Sequence, residues 1–145
     1  QIDEKVTLNG RDFGQTRTTT ITDVNTIDTR VFVATSTEMD IIKFDSAAGN
    51  GQFIDGDLKY LRISHLSGSD DLHVRVVGTD EEYAVKVTTG GSVIFFDQGM
   101  DATQTSTTPA VTADGTVTIN FANINKISVD SSSADITAEY FVATS

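Results

Sequence analysis

Residues 59–97 read KYLRISHLSGSDDLHVRVVGTDEEYAVKVTTGGSVIFFD. Apolar and polar side chains alternate here with period two, the pattern of strands that bury one face. Leu61 and Ile63 point inward from Lys59–Leu66, and Leu72, Val74 and Val76 from Leu72–Val77. Tyr83, Val85 and Val87 do so from the next strand. Ser67–Asp71, Gly78-Thr79-Asp80 and Thr89-Gly90-Gly91 are turn chemistry between these runs. Ser92–Asp97 is a continuous apolar run, which predicts a strand buried on both sides.

The same reading extends in both directions. Downstream, Val117, Ile119 and Phe121 alternate, Ile127 and Val129 follow, and Ile136, Ala138, Tyr140 and Val142 line the last strand. Residues 102–115, rich in Thr, Ala and Ser with the single proline Pro109, read as an exposed loop. Upstream, Glu38–Asp45 carries Ile41, Ile42 and Phe44, and Thr29–Thr35 places Val31 and Val33 on one face. The Thr-rich Gln15–Val24 is a possible strand, and Ala47–Gly51 a loop. Residues 1–14 read as an N-terminal arm and 15–145 as one domain. Eight to ten short strands at this spacing predict an all-β fold, an antiparallel β-sandwich of jelly-roll type. The Cys and Trp landmarks of an immunoglobulin sandwich are missing.

Composition agrees and narrows the function. Among 145 residues there are 16 Asp and 5 Glu against 10 Lys and Arg, a formal charge of −11. A basic footprint for nucleic acid is absent. With no cysteine, thiolate metal sites, disulfides and a cysteine nucleophile are excluded. No run is long enough to span a bilayer and no signal-peptide pattern opens the chain. The start at Gln1 reads as a trimmed N-terminus.

His65 and His73 lie near Ser64, Ser67, Asp70 and Asp71, but no nucleophile elbow accompanies them. Triads are recognised by geometry, so proximity in sequence carries little, and the expectation is a non-enzyme. Asp55-Gly56-Asp57, Asp70-Asp71 and Asp97–Asp101 offer hard oxygens for calcium without matching a known loop. They read as turn formers, and no cofactor or metal is implied.

The basic residues are more informative. If the two central connections are hairpins, Arg62 lies opposite Arg75, and His73 opposite Lys86, on one outer face. Tyr60 points outward beside Arg62, while Tyr83 and Tyr140 point into the core. Like charges facing each other are unfavourable in a bare sheet. Arg62, Arg75, Lys86, His73 and Tyr60 are therefore the candidate partner-binding residues, a strip for docking onto an acidic surface. The competing explanation is neutralisation by nearby Asp side chains.

The stretch Gly56–Ile63, then Leu72–Val76, Tyr83, Gly90–Phe95 and the closing Ile136–Ala143 resembles small virion structural proteins of tailed phages from aquatic settings. The resemblance spans about residues 50–145 and is one of strands and turns. It implies a β-sandwich decoration (cement) protein on the outer surface of the capsid, bound to the major capsid protein and commonly a homotrimer. No nucleic-acid or membrane partner is expected. The alternative is a tail or fibre-associated module that binds a receptor or carbohydrate.

Overall fold

The computed structural model describes residues 2, 3, 5–47, 49, 51–78, 82–96, 103, 104, 110, 111, 117, 118 and 121–145, with 2, 3, 17, 103, 104, 110, 111, 117, 118, 121 and 122 described by backbone alone. Among the described residues there are nine strands of three residues or more: β1 Thr26–Ala34, β2 Met39–Asp45, β3 Gln52–Ile54, β4 Leu58–Ser67, β5 Leu72–Val77, β6 Glu82–Val87, β7 Ser92–Phe96, β8 Lys126–Ser131 and β9 Ile136–Thr144. Five form one sheet in the order β6-β5-β8-β2-β3, and four the other in the order β7-β4-β9-β1. All pairings in both are antiparallel except β2 with β3. The chain switches sheets at every connection except β2 to β3 and β5 to β6, and the last strand returns beside the first. That order is a jelly roll with β3 added at one edge.

The core lies between the sheets. Leu61, Ile63, Leu72, Val74, Val76, Val87, Ile127, Val129 and Ile136 are buried, as alternation predicts. Phe32, Ala34, Ile42, Phe44, Leu58, Ile124, Ala138, Tyr140 and Val142 complete it. The expected core positions Val117, Ile119 and Phe121 lie outside the described side chains, and most of 102–115 lies outside the described residues. Described backbone there pairs Thr103–Gln104 with Phe121–Ala122, and Ala110–Val111 with Val117–Thr118.

Several expectations need correction. The connection after β4 is not a hairpin: β4 and β5 belong to opposite sheets. Gly68 makes the crossing, at φ +128°, with its backbone so close to Ile136 that a Cβ would lie 2.6 Å from Cγ2. Ser92–Phe96 is an edge strand with no buried residue, because nothing covers its outer face among the described residues. Tyr83 faces inward at the register of Val76, but β6 is also an edge, and the residue stays 38% exposed. Val31 and Val33 do share a face, and it is the outer one, since Phe32 and Ala34 take the core side. Of Gln15–Val24, only Thr16–Arg17 is strand.

The N-terminal segment, read as an arm, carries a hairpin. Ile2–Asp3 pairs with Thr16–Arg17 and Thr7–Leu8 with Arg11–Asp12 in one continuous register, and the Phe13 amide donates to the Val6 carbonyl at 2.7 Å. Asn9 and Gly10 both have positive φ, 50° and 78°, as a two-residue type I′ turn requires. Val6, Leu8 and Phe13 on it are exposed, with the Arg11 guanidinium 5.5 Å from the Phe13 ring centre.

Candidate interaction faces

The basic strip divides between two surfaces. His73 does lie opposite Lys86, and Arg75 follows on the same outer face of the five-stranded sheet. Arg62 does not lie opposite Arg75. It sits on β4, on the outer face of the other sheet, opposite Ile94 and Phe141. Tyr60 shares that second face. A β4–β5 hairpin would put Arg62 and Arg75 on one face, and the sandwich holds the two surfaces apart.

Each cation of the first face meets an acid. Arg75 bonds Glu38 Oε2 through Nη1 at 2.6 Å and Glu82 through Nη2. The hydrogen bond that Arg75 donates to Glu82 raises the Arg75 pKa further, against the opposing effect of burial. Lys86 Nζ lies 3.2 Å from Asp71, and His73 Nδ1 lies 2.7 Å from Asp130. At its centre Asp40 joins Lys43 at 3.1 Å, Lys126 at 2.9 Å and the Ser128 hydroxyl at 2.7 Å. Burial pushes the Asp40 carboxyl up, but these donors outweigh it and hold it at about 2. The outer face of the five-stranded sheet is thus a neutralised lattice of paired charges.

The four-stranded sheet presents a different surface. Ile27, Ala143, Tyr60 and Phe96 stand in one cross-strand row, and Thr29, Phe141, Arg62 and Ile94 in the next. Ile27 is 60% exposed, Val31 58% and Val33 51%, and Leu66 and Ile94 are also exposed. The Tyr60 and Phe141 rings meet edge to face at 5.8 Å. One ion pair, Arg62 Nη2 to Glu139 Oε1 at 2.8 Å, crosses the middle, with Arg62 Nε left unpartnered. Nothing among the described residues packs on these side chains. Exposed apolar side chains thus gather on this one face, interrupted by Thr29 and by the Arg62–Glu139 pair, and they make it the candidate binding surface.

The catalytic and metal candidates do not converge. His65 lies inside the core on β4, 1% exposed, with neither ring nitrogen partnered, while Ser64 points the other way and bonds Ser92. Asp70 accepts from the Ser132 hydroxyl and the Ala134 amide, the work of a turn. Among the described residues no three His, Asp or Glu side chains gather to hold a metal, and Asp97–Asp101 lies outside them.

A cleft of about 490 Å³ opens between the free edges of β1 and β3. Asp28, Arg30 and Tyr140 line one side and Ile41, Gln52 and Phe53 the other. Tyr140 donates its hydroxyl to Asp28 Oδ2 at 2.6 Å. Burial, then that bond and the Asp28 charge, push its pKa up to about 12. In comparison with known proteins, no family model matches this chain, and neither does any curated protein or solved structure.

Proposed function

We propose that this chain is a non-enzymatic structural protein of a virus particle, a decoration protein that sits on the outside of a tailed-phage head and stabilises the shell by binding the major capsid protein. The observation that carries the reading is the contrast between the two outer faces. One sheet ends in paired charges suited to water, and the other in uncovered Ile27, Val31, Val33, Leu66 and Ile94. A protein that works by docking needs such an asymmetry, because burial of apolar surface supplies the driving force. The resemblance of residues 50–145 to virion proteins supplies the partner and the expectation of a homotrimer. The exposed Val6, Leu8 and Phe13 of the N-terminal hairpin add a second uncovered apolar surface, since a two-stranded hairpin is marginal alone in water. The basic residues of the five-stranded sheet take no part; Arg62 and Tyr60 stay within the docking face.

Immunogold labelling of intact particles tests this. Label spread over the head in many copies supports a decoration role, label at the tail supports the adsorption-module reading, and no label on any particle overturns both. The cleft beside Asp28, Arg30 and Gln52 is the feature that favours the second reading, because convergent polar groups over an apolar floor suit a saccharide. A glycan-array signal lost in Gln52→Ala would select it.

A further inference from the structure

The free edge of β1 is unlike the others. The sheets end at β3, β6, β7 and β1, and of these β1 is the longest, with nine residues against three, six and five. It has no proline, no lysine and no bulge against β9, and among the described residues no strand pairs with its other side. A long edge with apolar side chains on one face is a template for another strand, and proteins that keep such edges exposed blunt them.

We propose that this edge is occupied by β1 of a second copy, paired antiparallel about a two-fold axis at Thr29. The sequence Thr26-Ile27-Asp28-Thr29-Arg30-Val31-Phe32-Val33-Ala34 selects that register. With Thr29 on the axis, Asp28 faces Arg30 of the second copy and Arg30 faces its Asp28. On the outer face, Ile27 meets Val31 twice. Moving the axis to Arg30 sets arginine against arginine, and moving it to Asp28 sets aspartate against aspartate. With the axis at Val31, Arg30 faces Phe32 and Asp28 faces Ala34, so neither charge finds a partner. A shift by an odd number of residues turns the apolar side chains of one copy to the wrong face of the other. Opposite charges directly across a strand pair are favourable and like charges unfavourable, so one register is singled out.

The two side chains are available for this. Arg30 is exposed and has no acidic partner within the chain among the described residues. Asp28 spends Oδ2 on Tyr140, and no bond to Oδ1 is formed among the described residues. Charges on an edge strand commonly repel unrelated strands; here the same two residues reject other partners and match a copy of themselves. The pairing joins two four-stranded sheets into one of eight strands, and it makes the two apolar outer faces continuous. It deepens the assembly reading and rests on it only in supposing that copies meet. Being two-fold, the contact closes at two chains, and in a trimeric decoration protein it ties one trimer to the next.

Disulfide trapping tests the register, since the chain has no cysteine of its own. Directly opposite residues in antiparallel strands have Cα atoms about 4.5–5.5 Å apart, inside the range a disulfide spans. Under air oxidation with a copper catalyst, Thr29→Cys is expected to give a covalent dimer on a non-reducing gel. Val33→Cys is expected to give none, because the two copies of residue 33 stand roughly 26 Å apart in this register. Adding Arg30→Asp to Thr29→Cys should cut the cross-linked fraction by about tenfold or more, with the thermal melt unchanged. No dimer from Thr29→Cys, equal trapping at Val33→Cys, or indifference to Arg30→Asp each overturns the proposal. None of these results bears on particle labelling, so the assembly reading stands or falls separately.

Discussion

Asp40 shows how one residue of the charged face sets behaviour in acid. Its carboxyl is held at about 2 against an ordinary 3.8, by donors from Lys126, Ser128 and Lys43 that overcome burial. A depressed native pKa means stability that is present in full above the ordinary value and lost as the pH falls through the native one. Asp40→Asn should therefore flatten the decline in stability between about pH 4 and 2, read from urea midpoints at each pH. His65 makes the opposite case. Its ring is in the core with neither nitrogen partnered, so the cost of removing it from water is not repaid. His65→Leu is expected to leave stability unchanged or raise it by about 1 kcal/mol, since a buried unsatisfied group is removed at similar volume. A fall of that size in the unfolding free energy would show that the ring has a partner. Alternation in the sequence puts His65 within the strand Lys59–Leu66. Its inward side follows from alternation with Leu61 and Ile63, a step masked by the polarity of the residue.

Single strands were legible because alternation reports directly on burial, and the β5–β6 register of His73 with Lys86 followed from it. Sheet membership was not legible. Ser67–Asp71 has the composition of a tight turn, yet it carries the chain from one sheet to the other, and alternation is the same in either case. Edge position was hidden for the same reason, so Tyr83 and Ser92–Phe96 are more exposed than their patterns suggest. One further signal is legible in the sequence: Asn9-Gly10 is the commonest type I′ hairpin dipeptide, and it joins the two arms of the N-terminal hairpin. Gly10→Ala, at φ +78° with open space around it, should speed amide exchange at residues 7, 8, 11 and 12 while leaving the sandwich melting temperature unchanged. Gly68→Ala differs, because its Cβ would enter the space of Ile136, a core residue. It should destabilise the whole domain by about 1–3 kcal/mol, measured by equilibrium denaturation.

At the scale of the molecule, a charge of −11 holds copies apart unless a surface offers matched contacts. The sandwich separates its surfaces accordingly, with paired ions on the five-stranded sheet and apolar side chains on the four-stranded one. Composition foretold the strand-rich domain but not this division, because it arises only once alternate residues of distant strands are brought into rows. The docking role proposed for the apolar face is tested most directly by co-sedimentation of the purified chain with phage heads that lack it. The account predicts that the unaltered chain pellets with the heads, that Val31→Lys with Ile94→Lys stays in the supernatant while still folded, and that Lys86→Glu on the opposite face pellets like the unaltered chain. Equal pelleting of the double variant, or loss of binding through Lys86→Glu alone, would contradict it.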